Sequence, residues 1–158
     1  MEDELYCVPI LSVAVLLRKN QILLVKIVDP FSDAGYEYLL PFCEFDGSAS
    51  ILQVMCRDLR EGYGIVLDGP SLKLAHSSYL KMDDEEDLMN LFFVDEQWKQ
   101  VARPAHADDT WTLELCDLDN LPEELAPHHR HALAAISEGI RFDEIIVPDE
   151  NLFGIDVC

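Results

Sequence analysis

A chain of 158 residues, 49% hydrophobic and 27% charged, is one domain's worth with enough apolar mass for a core. Its 11 basic side chains against 31 acidic ones leave a formal charge of −20. This argues against a DNA or RNA polymer or an anionic lipid surface as the main partner, because those are held by Lys and Arg; a small phosphorylated ligand stays open, since a divalent cation can bridge acids to phosphate.

Met1-Glu2-Asp3-Glu4 lacks the basic start of a secretory signal. Leu11 to Leu17, Leu- and Val-rich, reads as a buried strand; Arg18-Lys19-Asn20 is a polar turn, and Gln21 to Val28 is its hairpin partner. Asp29 to Gly35 is a loop by its Pro, Gly and Asp content, and Tyr36 to Leu40 a short strand stopped by Pro41. From Ser48 to Glu61 the period changes. Ile51, Leu52, Met55, Cys56 and Leu59 recur at helical spacing as a buried stripe, with Val54, Arg57, Asp58 and Glu61 on the other face. Ser50 with Gln53 fits a capping box, and Gly62 and Gly64 suit a left-handed end.

Leu72 to Met82 and Leu88 to Val94 flank the acidic run Asp83 to Asp87 and read as a second hairpin. Asp95 to Asp109 is a long loop and Thr110 to Cys116 another strand. Pro127 to about Glu138 is a second helix with Pro at a favourable first-turn position. Phe142, Ile145, Ile146 and Val147 suggest a docked strand. The order is not the regular alternation of a doubly wound sheet, and no G-x-G-x-x-G occurs. A mixed α/β domain spanning residues 1–158, with a helix on each face of the sheet, is the natural solution.

No apolar run, Val13 to Leu17 included, is long enough to span a membrane. The five cysteines are odd in number and form no C-x-x-C pair, which reads as reduced thiols in a cytoplasmic protein. His128, His129 and His131 cluster at the second helix start and read as structural, since a metal site there needs further ligands. Trp98, Trp111, Tyr36 and Phe31 are able to stack a nucleobase, although packing is their default role.

The stretch that carries chemistry is Cys43 to Ile65. Asp58 and Glu61 stand three apart on the first helix, two acidic donors on one rigid face. The segment resembles the signature of the Nudix hydrolases, G-x5-E-x7-R-E-U-x-E-E-x-G-U with U bulky and aliphatic. Arg57, Leu59, Glu61, Gly64 and Ile65 match it outright, and Asp58 is a shortened acid. Cys43, Ala49 and Gly62 depart, standing where the family has its opening Gly, its upstream Glu and the last of its paired Glu residues. Leu39-Leu40-Pro41 and the run Leu125 to Arg130 fit the family's context, so the likeness covers about residues 11–139.

That resemblance implies a Nudix-like α/β/α sandwich. It also implies a hydrolase of a nucleoside diphosphate linked to another moiety, with Asp58 and Glu61 as ligands to Mg²⁺ or Mn²⁺ and Glu61 and Arg57 as the catalytic pair. The departures imply weakened or altered activity, with a non-catalytic nucleotide-binding or protein-interaction module as the alternative. Substitute acids would be Glu44, Asp46, Asp95, Glu96, Asp108 or Asp109. The partner implied is a small nucleotide-type ligand, and homodimers are common among the proteins it resembles.

Overall fold

The computed structural model describes residues 5–27, 37–82, 86–101, 110–147 and 156–157. The expected loop Asp29–Gly35, the first residue of the Tyr36 strand, Phe31, His106, Asp108 and Asp109 lie outside the described residues. So do most of the acidic run and most of the second long loop.

Strands β1 (Ile10–Arg18) and β2 (Gln21–Ile27) form the first hairpin, with Lys19 in the left-handed conformation at its turn. Two short strands follow, β3 (Tyr38–Leu39) and β4 (Phe42–Glu44), then helix α1 (Ile51–Tyr63). β5 (Ile65–Val66) leads to the second hairpin, β6 (Lys73–Met82) and β7 (Leu88–Asp95). β8 (Lys99–Gln100), β9 (Trp111–Asp117), helix α2 (Pro127–Ser137), β10 (Phe142–Val147) and β11 (Asp156–Val157) complete the described elements.

Nine strands join in one mixed sheet along the path β11-β10-β6-β7-β1-β2-β3, with β4 paired to β1 and β9 to β2. β1 and β7 run parallel, as do β6 and β10, while the hairpin pairs are antiparallel. The period-2 alternation of β1 and β2 sorts their side chains to two faces. Ala14, Leu16 and Leu23 pack with Met55 and Leu59 of α1. Val13, Val15, Ile22 and Leu24 pack with Ala132 of α2 and with Leu125 and Leu40. The helices therefore cover opposite faces, as the element order implies.

Four short strands, β4, β5, β8 and β11, go beyond the sequence reading. Among the described residues β5 and β8 pair only with each other, so part of the expected loop Asp95–Asp109 is strand. A two-residue strand has no alternation to read, and only its partner creates it. Ser50 caps α1: Gln53 N–H donates to Ser50 Oγ at 3.2 Å and Ser50 N–H donates to Gln53 Oε1 at 3.1 Å, the expected capping box. Gly64, at φ +71°, is the left-handed cap, and Gly62 belongs to the helix itself. The buried stripe of α1 is also rotated from expectation. Val54 is buried and Leu52 is 38% exposed. Val54 and Asp58 lie four residues apart on one flank, and that flank turns toward the sheet.

Candidate active site

The flank of α1 that carries Asp58 faces a cleft of about 600 Å³. The last turn of the helix supplies Asp58, Gly62 and Tyr63 to it. Opposite stand Val25 and Ile27 of β2 and Trp111 at the start of β9, while Leu39, Phe42 and Cys43 close one end. Alternation explains the choice: Val25, Ile27 and Trp111 are the members of their strands that face the α1 side, and β2 pairs β9 with Ile27 opposite Trp111. Tyr63 and Trp111 meet edge to face, ring centroids 5.0 Å apart at 68°, a favoured aromatic geometry. Burial raises the Tyr63 phenol above its ordinary range.

The acidic wall is thin. Asp58 Oδ1 accepts from Arg57 Nε at 2.8 Å. Arg57 Nη1 donates to Ser48 Oγ and Nη2 to Asp46 Oδ2, each at 2.9 Å. Asp46 also accepts from the Ser48 hydroxyl at 2.6 Å and the Ser48 N–H at 2.9 Å. The Ser48 hydroxyl and amide, with Arg57 helping, hold Asp46 down to about 2. Arg57 thus ties the loop before α1 to the middle of the helix, with each of its three nitrogens donating.

Glu61 is exposed and is not on the cleft wall. From Asp58 the helix places Gly62 on the side of Leu59 and Glu61 on the solvent side, so the glycine occupies the inward position. Of the expected pair, Asp58 alone reaches the cleft. Glu44 and Glu96 are exposed and off its wall. Asp95 is buried elsewhere, accepting from the Asp68 and Gln97 N–H groups and the Ser71 hydroxyl. The histidine cluster is structural. Leu40 N–H donates to His129 Nδ1 at 3.0 Å, and burial holds His129 well below its ordinary pKa and His128 down to about 4. His131 Nε2 meets Asp143 Oδ2 at 2.6 Å, and His76 Nε2 lies 3.3 Å from Asp143 Oδ1.

Sequence reasoning missed Tyr63 and the apolar members Val25, Ile27 and Phe42. Tyr63 carries a usable signal, since it follows Gly62 inside the very motif that marks the site. Trp111 was legible only as one aromatic among several.

No family model and no curated protein matches the chain. Solved structures do. A mutator MutT protein from Bacillus halodurans superposes at TM-score 0.72 and 16% identity, over 94% of each chain. A MutT Nudix hydrolase from Burkholderia pseudomallei gives 0.63 at 23% identity, over 79% of this chain and 95% of that one. The fold is that of the Nudix hydrolases. A hydrolase of ADP compounds shares the Nudix fold too, at TM-score 0.59 and 14% identity, over 82% of this chain and 71% of that one. At such identities the likeness is one of fold, and function rests on the site.

A divalent ion is what the Nudix resemblance implies here, and the residues present fit it poorly. Mg²⁺ takes oxygen ligands in near-ideal octahedral geometry. Among the described residues Asp58 is the one carboxylate on the wall, and its Oδ1 accepts from Arg57. Gly62 has no side chain, and burial pushes the Cys43 thiol up to about 11, which leaves it protonated and without a thiolate to offer. Among the described residues no group of three or more His, Cys, Asp or Glu is placed to hold a metal ion. Nor, among them, is any helix long and apolar enough to cross a membrane.

Proposed function

We propose that this chain is a Nudix-fold binding module for a small nucleotide-type ligand seated in the Tyr63–Trp111 cleft. The observation that carries the reading is the state of the acidic positions on α1. Asp58 stands on the wall with one oxygen engaged by Arg57, Gly62 offers nothing, and Glu61 stands outside. Hydrolysis of a pyrophosphate by water relies on cations that neutralise its charge and position the attack. Among the described residues this wall supplies a single, half-engaged carboxylate to hold them. What the cleft retains is what binding needs: room for a small ligand, mostly apolar walls and an aromatic pair.

A second reading is favoured by Asp58 itself, which lies on the cleft next to Arg57, and by the hydrolase of ADP compounds among the neighbours in fold. It makes the chain a metal-dependent hydrolase of a nucleoside diphosphate linked to another moiety. Asp58 and Glu61 would then hold Mg²⁺ or Mn²⁺, and Arg57 would orient the carboxylate it already touches.

One set of measurements separates the two. The purified protein is titrated calorimetrically with ADP-ribose, dinucleoside polyphosphates, nucleotide sugars, nucleoside triphosphates and the parent nucleosides, and product release is followed with Mg²⁺ or Mn²⁺. The module reading expects binding of at least one compound and no metal-dependent product. Metal-dependent turnover that disappears in Glu61→Gln establishes the hydrolase instead.

A further inference from the structure

The α2 face of the sheet carries a second group of polar atoms, which the cleft does not use. We infer that it is a site for a divalent ion of the Zn²⁺ class, with His76 Nε2 and Asp143 Oδ1 as its ligands. It lies on the face opposite the Tyr63–Trp111 cleft, and the inference does not rest on the reading of that cleft.

β6 lies between β7 and β10. Its Ser78 pairs with Asn90 of β7 on one side and with Asp143 of β10 on the other, so the three residues form one row across the sheet. His76 stands two residues back along β6, on the same face by alternation. Its ring meets Phe92 of β7, centroids 5.7 Å apart, and Phe92 in turn meets His129 of α2. His76, Ser78 and Asn90 are each no more than 2% exposed. Yet His76 Nε2, Ser78 Oγ, Asn90 Oδ1 and Asp143 Oδ1 have no hydrogen-bond partner among the described residues. Buried polar atoms are normally paired, so four left over in one patch carry a cost that a guest would offset.

The chemistry of those atoms names the guest. His76 Nδ1 lies 2.7 Å from the Ile140 carbonyl oxygen. Nδ1 therefore carries the hydrogen, and Nε2 of the neutral ring is left with a lone pair. Asp143 Oδ1 and Asn90 Oδ1 also only accept. Three acceptors and one hydroxyl suit a Lewis acid. A proton on Nε2 is the simpler candidate, but a charge-assisted N–H···O bond runs at about 2.7–2.9 Å and in line. Nε2 and Asp143 Oδ1 stand 3.3 Å apart without hydrogen-bond alignment. Two ligands about 2.0–2.2 Å from a tetrahedral Zn²⁺ are themselves roughly 3.3–3.5 Å apart. The outer contacts match too. A ligating imidazole donates its other N–H to a carbonyl, and a ligating carboxylate is itself held by hydrogen bonds. Here the Ile140 carbonyl holds His76, and His131 Nε2 holds the second oxygen of Asp143 at 2.6 Å. Ser78 and Asn90 supply oxygens for further positions, directly or through water. The Asp143 and His131 side chains keep 15% and 27% exposure, which leaves a way in from solvent.

The intact protein, stripped of metal with a chelator, is titrated calorimetrically with Zn²⁺ and with Mg²⁺, and the ring ¹⁵N signals of His76 are followed by NMR. One Zn²⁺ per chain is expected, bound at least about tenfold tighter than Mg²⁺. The His76 Nε2 signal should move while Nδ1 keeps its hydrogen. Asp143→Asn preserves shape and weakens a ligand, and His76→Gln removes the imidazole; each should lose at least about tenfold in Zn²⁺ affinity. Circular dichroism checks that the variants fold, and if one does not, the NMR of the unaltered protein decides. His76 found protonated on both nitrogens and unmoved by Zn²⁺ overturns the inference. Zn²⁺ affinity that survives Asp143→Asn overturns it as well, and so does affinity lost in Asp58→Asn, which would put the ion in the cleft.

Discussion

Two helices cover one sheet in opposite ways. On the α2 face, polar groups are driven inward. His129 is buried against Phe92, ring centroids 6.0 Å apart, and accepts the Leu40 N–H, while His131 and His76 converge on Asp143. On the α1 face the polar groups are pulled outward to the helix start, where Asp46, Ser48, Arg57 and Asp58 tie the preceding loop down, and the far end of the helix is left hollow. A filled face mainly stabilises. The hollow face gives up packing and keeps room for a ligand, and its Gly62 is the residue that keeps that room free of a second carboxylate.

The contrast can be broken first with pH. Burial lowers the pKa of His128 and His129 in the folded chain below the ordinary value of about 6.5. Below that pH the unfolded chain takes up protons that the folded chain refuses. Stability is therefore complete above about pH 6.5 and falls as pH drops, by roughly 1.4 kcal/mol per pH unit for each histidine. Together the two histidines make the loss grow steadily as pH falls from about 6.5 toward about 4. Urea unfolding across this range measures it, and His128→Asn should halve the slope. A flat profile would show that the α2 face is open to water.

His129→Ala comes next. It strands the buried Leu40 N–H and opens a cavity, and should cost about 3 kcal/mol in urea denaturation. On the α1 face Gly62→Glu should act through gain. A side chain there meets no atom within 4 Å, so a second carboxylate can stand beside Asp58. Mn²⁺ binding by calorimetry should appear in the variant and be at least tenfold weaker or undetectable in the parent. Gly62→Ala is the control: about 0.5–1 kcal/mol more stable through helix propensity, with no new metal affinity. Ser50→Ala removes the capping box and should cost about 1 kcal/mol. Glu61→Gln, on the exposed side of α1, should change stability by less than about 0.5 kcal/mol.

Much of the α1 region was legible beforehand. The capping box of Ser50 and Gln53, the left-handed Gly64 and the buried Met55 and Leu59 depend on neighbours within a few positions, and local rules describe such neighbours well. Val54 shows where those rules stop. Nothing in its spacing says whether the flank it shares with Asp58 faces sheet or solvent, since that depends on how the helix is rolled onto β1 and β2. The same roll puts Asp58 on the cleft and Glu61 off it, although both carry equal weight in the motif. The α2 histidines were legible only as a cluster; the Leu40 N–H that occupies His129 comes from a segment 89 residues away.

By itself the amino-acid order determined the hairpins, both helices, the caps of α1, and the Arg57–Ile65 motif that points to the Nudix fold. These follow from periodicity and short-range hydrogen bonding, which are properties of contiguous residues. The tertiary structure alone decided that Asp58 and not Glu61 faces the cleft, and that Tyr63 meets Trp111. Those outcomes join residues far apart in the chain, and they are set by how a helix rolls on a sheet to bury the most apolar surface.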